Sequence, residues 1–323
     1  MSKLLSIIIV NWNVAELLAG AIRSISDNPP SGDYEIIVVD NASRDNSLEM
    51  LAKDFPMVQV IANEHNEGFG KANNQGIEIA EGEYIFLLNP DTVVVKDALD
   101  QLIEVLKNNP EVGMVGPSLV NGDNLQPQLG GARLTRTFLS GVVLDLLYVN
   151  RIPWVGAKLV KKLRYPYDLT KEGFVQVISG SAMMFRAETL KRVGGFDERF
   201  FLCGEDIELC DRFWQHGYKV FYCPAAVIIH YNQSCSPQDP VNIFVNKFLG
   251  VAKYYELRNG KWAHFWFRVI AYIILVPKLL IKTLFLFITG KIAKGKMNLS
   301  ILQKLFKWRL VGEAENYKPS KLT

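Results

Sequence analysis

Polar side chains stand directly after several apolar stretches of this 323-residue chain, and two of them could hold a divalent cation against a diphosphate. Asn89 and Asp91 follow the apolar stretch Tyr84–Leu88. Carboxylate and amide oxygens, together with phosphate oxygens, are the ligands that Mg²⁺ and Mn²⁺ prefer. A second interpretation is structural, because Asp91 or Thr92 could cap the first turn of a following helix.

Further along the chain, a carboxylate and a histidine are candidates for chemistry. Asp206 lies at the predicted start of an apolar helix, where it could act as a general base or simply interact favourably with the helix dipole. Glu208 and Arg212 are four residues apart, a spacing that predicts an ion pair on the helix surface. His230 ends the apolar stretch Ala225–Ile229, and side-chain chemistry alone favours a hydrogen-bonded structural residue over a functional one.

The segment Asn66–Asn74 contains two glycines and a lysine. It lacks the Gly-Lys-Ser/Thr of a phosphate loop and the third glycine of a dinucleotide-binding fingerprint. One interpretation is a glycine turn that begins a helix. The other is a nucleotide contact, in which Lys71 approaches a phosphate and Asn73 or Asn74 meets a base edge.

Four apolar stretches alternate with helical patterns in the first half of the chain, which predicts an α/β fold with a mostly parallel sheet. They are Leu4–Val10, Glu35–Val39, Met57–Ile61 and Tyr84–Leu88, each predicted to be a buried strand. Such sheets bind ligands beyond the carboxyl ends of their strands. Asn11, Asp40 and the segment Asn89–Asp91 should therefore lie along one edge of the sheet.

The composition is that of an ordinary globular protein, with 49% hydrophobic and 21% charged residues, which excludes collagen-like and disordered chains. A net charge of +3 argues against a general nucleic-acid binder. The charge is unevenly spread, since residues 258–323 carry 13 Lys or Arg and 2 acids, whereas residues 1–257 carry 23 and 31. The basic C-terminal segment is expected to contact an anionic partner, with a membrane surface as the first candidate.

Residues 265–290 are rich in Ile, Leu and Phe, but their longest uncharged run is nine residues, against about 20 for a membrane-spanning helix. On a helix, the basic residues of this region fall on one side of a broad apolar face, a pattern that predicts an amphipathic helix lying on an anionic leaflet. A core or oligomer-packing helix, a membrane span and a re-entrant hairpin are the alternatives. A second basic cluster at 151–164 could add a contact with the membrane or with a substrate.

Cys203, Cys210, Cys223 and Cys235 do not show the paired spacing of most zinc sites. We expect reduced, structural thiols in a cytosolic compartment, with a four-cysteine zinc site as the alternative. The first ten residues are not expected to be a secretory leader, because no small-residue cleavage site follows their apolar run.

The order of these motifs resembles that of the family 2 glycosyltransferases, which have the GT-A nucleotide-diphospho-sugar transferase fold. Within that family the chain is most similar to the rhamnosyltransferase-like branch that builds bacterial surface polysaccharides. The resemblance covers about residues 4–235 and is carried by VNWN (10–13), VVDNASRD (38–45), NEGFGKANNQG (66–76), LLNPDT (87–92), GSAMMFR (180–186), GGFDE (194–198), GEDIELCDR (204–212) and His230.

The resemblance implies a donor-binding role for residues of the first half. Asp40 would contact the uracil or thymine base and the ribose of a nucleotide-sugar donor. Asn11, Lys71, Asn73 and Asn89 would help to bind the donor.

It also implies a metal site and a catalytic base. Asp91 and His230 would bind Mg²⁺ or Mn²⁺, and Asp206 would be the general base, with Glu205 and Gly180 on the acceptor side. Asn89 departs from the family pattern, because it stands where the family has the first aspartate of an Asp-x-Asp motif. The loss of one negative charge should weaken the affinity for the metal, which argues against a strict metal dependence.

By this resemblance, residues 1–118 would bind the nucleotide sugar, 119–235 would bind the acceptor and carry out catalysis, and 236–323 would form a basic, helical membrane-associating segment. The expected protein is an inverting hexosyltransferase at the cytoplasmic face of the membrane, acting on a lipid-linked or saccharide acceptor. L-rhamnose from dTDP-rhamnose is the first candidate donor and a UDP-sugar the second. A non-catalytic, membrane-bound scaffold with the same fold is the alternative.

Overall fold

A computed structural model describes residues 3–128, 130–133, 168–232 and 240–311 of the chain. These residues form two compact units. The first holds all the described strands and six helices, and the second holds residues 200–204 and two long helices near the C-terminus. The basic cluster at 151–164 and Cys235 lie outside the described residues.

The strands of the first unit form one large sheet and one small one. Their bounds are β1 (Leu5–Asn11), β2 (Tyr34–Asp40), β3 (Gln59–Ala62), β4 (Tyr84–Leu88), β5 (Thr92–Val94), β6 (Val112–Asn121), β7 (Ala132–Arg133), β8 (Gly173–Phe174), β9 (Val177–Ile178), β10 (Ala182–Arg186) and β11 (Lys219–His230). The large sheet has the order β3-β2-β1-β4-β10-β6-β11-β5, with β8 paired to β11, and β7 pairs with β9 in the small sheet. In the large sheet β5, β8 and β10 run against the other six strands. The predicted mixed, mostly parallel sheet is therefore confirmed.

Six helices accompany these strands: α1 (Ala15–Asp27), α2 (Ser47–Asp54), α3 (Phe69–Ile79), α4 (Ala98–Asn108), α5 (Ala187–Val193) and α6 (Glu205–Gln215). Asp45 fixes the start of two of them, because its Oδ2 accepts a hydrogen bond from the Ala15 backbone at 3.0 Å and its Oδ1 accepts one from the Ser47 hydroxyl at 2.5 Å. α1 ends at Asp27, just before two prolines that could not continue a helix.

The core lies on both faces of the large sheet. Alternate residues of β1 enter different clusters, as the two-residue period of a strand requires. Ile7 and Ile9 pack in a cluster that contains residues of α1 and α4, whereas Ile8 packs in one that contains Phe185 and Phe213. Strands covered on both faces need apolar side chains at successive positions, which is why β1, β2 and β4 are continuous apolar stretches.

The third predicted strand differs from the expectation. The sequence predicts a buried strand at Met57–Ile61, whereas β3 begins at Gln59 and forms the edge of the sheet. Met57 is 86% exposed and Val60 is 42% exposed. The prediction of burial is wrong, because the apolar composition of a short stretch does not reveal its place in the strand order.

The described cysteines in the first unit are consistent with the predicted reduced thiols. Cys210 and Cys223 are free and buried, and burial raises the pKa of both thiols. A thiol that stays protonated is a poor nucleophile and a poor metal ligand. Among the described residues, no group of three or more His, Cys, Asp or Glu side chains could hold a zinc ion.

The second unit contains α7 (Pro240–Ile288) and α8 (Ile292–Val311). The backbone of α7 leaves helical values at Gly260, where φ is +82°, and the two parts of α7 pack on each other through the stacked rings of Phe248 and Phe267. α8 packs along the second part of α7, where the Tyr272 hydroxyl donates a hydrogen bond to the Leu305 carbonyl.

Many apolar side chains of the second part of α7 stay exposed. Trp262 is 77% exposed, Ile281 70% and Ile288 75%. By length and composition, α7 is the one helix in the described part of the chain that could cross a membrane. Exposed lysines, Lys261 and Lys278 among them, lie among these apolar residues.

Candidate active site

The carboxyl ends of β1 and β2 bring two predicted donor residues together. The strands pair so that Asn11 lies opposite Asp40, and both side chains are fully buried. The Nδ2 atom of Asn11 donates a hydrogen bond to Oδ1 of Asp40 at 2.8 Å, and the backbone N–H of Ser43 donates one to Oδ2 at 2.9 Å. The Asp40 carboxylate is therefore held rigidly at the edge of the sheet.

Asn11 also carries an atom that suits a ligand. Its Nδ2 is used by Asp40 and Ser43, whereas its Oδ1 is buried and accepts no hydrogen bond from the described residues. A buried acceptor without a donor costs about 1–3 kcal/mol. A ligand N–H or O–H that reached this atom would recover that cost.

Asn41, which the sequence motifs did not indicate as a site residue, holds the loop before α3 by hydrogen bonds. Its Nδ2 donates to the Gly68 carbonyl at 3.1 Å, and its Oδ1 accepts from Nδ2 of Asn63 at 3.0 Å. Gly68 has a φ of +86°, a conformation that glycine adopts without strain. The signal that could have found Asn41 is its place in the polar segment that directly follows β2.

Lys71 and Asn73 lie in the first turns of α3, where other groups of the protein engage them. The Nζ atom of Lys71 is 2.7 Å from Oε2 of Glu67, and the hydrogen bond and charge of Glu67 raise the pKa of Lys71. The Nδ2 atom of Asn73 donates to the Phe69 carbonyl at 2.9 Å. A donor phosphate would therefore have to compete with Glu67 for the lysine.

The loop 194–198 is fastened by two residues with structural roles. Asn74 accepts from the backbone N–H of Phe196 at 2.8 Å and donates to its carbonyl at 2.9 Å, so Asn74 is not available for a base edge in this conformation. Arg212 binds Glu208 at 2.6 Å and 2.8 Å and also donates to the carbonyl of Gly195. The predicted ion pair between Glu208 and Arg212 is confirmed.

The turn after β4 leads into a strand instead of a helix. The Thr92 hydroxyl donates to the Asn89 carbonyl at 2.7 Å, and the backbone N–H of Asn89 donates to the Ser181 carbonyl at 2.9 Å. The next helix begins only at Ala98. The interpretation of Asp91 or Thr92 as a helix cap is therefore wrong, because β5 starts at Thr92.

β11 brings His230 to Asp91. The two strands β5 and β11 are antiparallel, with His230 opposite Thr92. The Nε2 atom of His230 is 3.4 Å from Oδ1 of Asp91, and both side chains are buried. On its other side, Nδ1 of His230 is 3.0 Å from Oε1 of Gln128, a residue 102 positions away that sequence reasoning missed.

Asp91 and His230 fit a divalent cation of the kind that the sequence predicts. An oxygen and a nitrogen 3.4 Å apart can both bind one ion at the distances of about 2.0–2.1 Å that Mg²⁺ requires. Within the described ranges no third His, Cys, Asp or Glu completes a cage around them. Such an incomplete set leaves coordination positions for water and for substrate phosphates, as is usual for Mg²⁺.

The carboxylate of Asp206 lies in the first turn of α6 and is partly accessible, whereas the neighbouring Glu205 is buried. Its Oδ2 atom is 3.6 Å from Nη2 of Arg133 and 3.4 Å from the backbone nitrogen of Gly180. A methyl group at Gly180 would contact both the Cβ of Asp206 and the ring of Phe69. The structure thus brings together Asp206 and Gly180, and adds Arg133, whose position in β7 no spacing in the sequence indicated.

Two family models match the chain. Residues 167–289 match the model described as glycosyl transferase family group 2. Residues 6–194, more than half of the chain, match the model described as glycosyl transferase family 2. The chain belongs to glycosyl transferase family 2. The matched segment contains the strand-end residues Asn11, Asp40 and Asp91.

This glycosyltransferase is similar to two bacterial enzymes of sugar transfer and polysaccharide synthesis. It is 26% identical over 259 residues to the N-acetylglucosaminyl-diphospho-decaprenol L-rhamnosyltransferase of Mycobacterium tuberculosis, an alignment that covers 75% of this chain and 80% of the relative. It is 28% identical over 199 residues to the poly-beta-1,6-N-acetyl-D-glucosamine synthase of Staphylococcus aureus, covering 60% of this chain and 42% of the relative. The resemblance to rhamnosyltransferases and to enzymes of polysaccharide synthesis is confirmed.

Solved structures share the fold of the transferase. A crystal structure of GalNAc-T7 with UDP, GalNAc and Mn²⁺ superposes with a TM-score of 0.54, 20% identity and coverage of 71% of this chain and 43% of that one. The mannosyltransferase PcManGT from Pyrobaculum calidifontis, in complex with GDP-Man and Mn²⁺, gives a TM-score of 0.51, 16% identity and coverage of 97% and 88%. The predicted GT-A fold is confirmed.

Proposed function

We propose that this family 2 glycosyltransferase is an inverting enzyme that uses a divalent metal and moves a sugar from a nucleotide-diphospho-sugar to a lipid-linked or saccharide acceptor. The observation that carries the proposal is the approach of His230 to Asp91 at 3.4 Å. This pair follows strands of the same sheet that holds Asn11 and Asp40, and parallel strand ends are where such sheets bind nucleotides.

On the donor side, Asn11 and Asp40 bind the nucleoside. Uracil and thymine each present an imide N–H, which an acceptor oxygen of Asn11 or Asp40 can receive. The free acceptor capacity of Asn11 Oδ1 supports this role. Lys71 leaves Glu67 and binds a donor phosphate, and Asn73 and Asn89 help to bind the donor.

On the acceptor side, Asp206 takes the proton of the attacking hydroxyl. The hydroxyl oxygen forms a bond to the anomeric carbon, the bond from that carbon to the diphosphate oxygen breaks, and the nucleoside diphosphate leaves with the electron pair. A bound Mg²⁺ or Mn²⁺ would neutralise the negative charge that develops on this leaving group. One base and one displacement invert the anomeric configuration.

The donor that we favour is dTDP-L-rhamnose, with a UDP-sugar as the second choice. The similarity to a rhamnosyltransferase over 75% of the chain supports the first, and the shorter alignment with an N-acetylglucosamine polymer synthase supports the second. The relative's name also supports a sugar-diphospho-lipid as the acceptor, in the synthesis of a bacterial surface polysaccharide.

The reaction is tested with the full chain, Mn²⁺, a synthetic N-acetylglucosaminyl-diphospho-lipid and either dTDP-rhamnose or a set of UDP-sugars. The expected result is a glycosylated lipid whose new anomeric centre, read by NMR, is inverted relative to the donor. A product of retained configuration would contradict the single displacement. Protein that binds the nucleotide but transfers no sugar would favour the non-catalytic scaffold.

We further propose that α7 and α8 associate with an anionic membrane at the cytoplasmic face. The exposed apolar residues of α7, interspersed with exposed lysines, support this role.

Binding to vesicles of phosphatidylglycerol should exceed binding to phosphatidylcholine and should fall with salt. Each neutralised lysine near the surface should cost about 1 kcal/mol, so Lys278→Gln with Lys282→Gln should weaken binding, whereas the exposed Lys107→Gln on α4 should not. Equal binding to both lipids would contradict the proposal.

A further inference from the structure

Gln128 is fixed beside His230 by the backbone around it. After β6 the chain turns back, and the backbone N–H of Gln128 donates to the Leu119 carbonyl at 2.7 Å. β6 in turn pairs in parallel with β11, the strand that ends at His230. The side chain of Gln128 therefore meets the histidine although 102 residues separate them.

Two hydrogen bonds determine which way the amide of Gln128 points. Its Nε2 is 2.8 Å from the backbone carbonyl of His230, and a carbonyl oxygen can only accept a hydrogen bond. The amide nitrogen must therefore face that carbonyl. The amide oxygen Oε1 then faces Nδ1 of the imidazole at 3.0 Å.

This arrangement decides the tautomer of the neutral imidazole. Because Oε1 of Gln128 only accepts, Nδ1 of His230 must carry the hydrogen. The lone pair is left on Nε2, which is directed at the Asp91 carboxylate across 3.4 Å. Two electron-rich atoms in this position repel unless a cation lies between them.

We propose that Gln128 is a positioning residue for metal binding, which fixes the rotation and the tautomer of His230 so that Nε2 faces the ion beside Asp91. The inference rests on the proposed function, because it concerns the same metal. A histidine that binds a metal usually donates its other N–H to a fixed acceptor, and loss of that acceptor costs about tenfold to hundredfold in metal affinity or activity.

The test is the affinity of the full chain for Mn²⁺ in the presence of UDP, measured by electron paramagnetic resonance of the free ion, with no sugar and no acceptor. Gln128→Met keeps the length of the side chain and removes both hydrogen bonds. It should weaken Mn²⁺ binding about tenfold to hundredfold. Gln126→Met, on the same loop with an exposed side chain, should bind like the wild type.

Gln128→Glu tests whether Gln128 acts by positioning the His230 imidazole or only by stabilising the local structure. Both variants lose the bond to the His230 carbonyl, but the glutamate still offers Nδ1 an acceptor. Mn²⁺ affinity should therefore recover with glutamate. Competition with Mn²⁺ gives the affinities for Co²⁺ and Mg²⁺ in the same assay. The methionine variant should lose more affinity for Co²⁺ than for Mg²⁺, because imidazole nitrogen suits transition metals and oxygen ligands suit Mg²⁺. If the methionine variant does not fold, Gln128→Ser takes its place with the same expectation.

Unchanged Mn²⁺ affinity in folded Gln128→Met would overturn the inference and leave the proposed function intact. Equal losses for Co²⁺ and Mg²⁺, or equal losses in the methionine and glutamate variants, would also overturn it. Wild-type protein that binds no Mn²⁺ with UDP would instead contradict the metal dependence of the proposed function itself.

Discussion

The donor edge, formed by Asn11, Asp40 and Asp91, and the base site, formed by Arg133, Gly180 and Asp206, are constructed differently. The Asp40 carboxylate of the donor edge stands between neighbouring strands and is held by a short, buried 2.8 Å bond from Asn11, whereas Asp91 is buried but lies 3.4 Å from His230, which leaves room for an ion. The base site joins a two-residue strand, a turn and the start of a helix, with contacts of 3.4–3.6 Å around a partly accessible carboxylate. The comparison teaches that the donor edge is preformed, whereas the base site has room to adjust when an acceptor binds.

The largest expected effect is a loss of transfer rate at the base site that leaves nucleotide binding at the donor edge unchanged. Asp206→Asn should lower the rate of sugar transfer by about 10²- to 10⁴-fold, the usual contribution of a general base. Nucleotide affinity should stay at the wild-type value, because Asp206 is not part of the donor edge. Stopped assays of product and titrations with UDP or dTDP measure the two quantities. Asp54→Asn, on the surface of α2, is the control and should change neither.

Asp91→Asn, unlike Asp206→Asn, should weaken nucleotide binding. Removal of a charged ligand should weaken Mn²⁺-dependent nucleotide binding by at least the tenfold to hundredfold that loss of an outer partner costs. Nucleotide binding without metal should change little. Isothermal titration with and without Mn²⁺ provides the comparison, and identical losses in Asp91→Asn and Asp206→Asn would show that the two regions act as one.

Asn11→Ala tests the rigidity of the donor edge. The change leaves the buried, charged Asp40 carboxylate without its Asn11 donor, and this loss should outweigh the gain from removing the unsatisfied Oδ1 atom of Asn11. The free energy of unfolding should fall by about 1 kcal/mol, because an unpaired charged group costs more than a neutral one. Thermal denaturation should show a fall of several degrees, together with weaker nucleotide binding. Asn108→Ala, at the exposed last residue of α4, serves as the control. A variant as stable as the wild type would contradict the picture of a preformed edge.

The smallest expected effect belongs to Glu208, which lies near the base site but pairs with Arg212. Glu208→Gln should cost about 0.5–1.5 kcal/mol of stability, the worth of a typical hydrogen bond, and should leave nucleotide affinity unchanged. Denaturation with urea measures the first quantity. A loss of turnover as large as that of Asp206→Asn would place Glu208 within the base site.

The donor edge could be predicted from the sequence, and the base site only in part. Buried parallel strands are continuous apolar stretches, so β1, β2 and β4 and the polar residues after them were visible. Asp206 was visible through its motif. Arg133 and Gln128 were not, because contacts between short, distant segments depend on packing that no local period records.

Two errors have the same physical origin. A short apolar stretch at Met57–Ile61 does not reveal whether its strand lies at the centre or the edge of a sheet. A polar turn at Asn89–Asp91 does not reveal whether a helix or the three-residue strand β5 follows it. In both cases the neighbours in space decide the outcome, and those neighbours are remote in sequence.

The most direct test of the donor edge is a thermal-shift comparison of UDP, dTDP and GDP, each with and without Mn²⁺. A nucleotide at about 100 times its dissociation constant should stabilise the protein by about 2.7 kcal/mol, which corresponds to roughly 5–10 °C for a domain of this size. The account predicts that UDP or dTDP raises the melting temperature with Mn²⁺ and raises it much less without the metal. No shift with any nucleotide, in folded protein, would contradict the assignment of this edge as a nucleotide-sugar site.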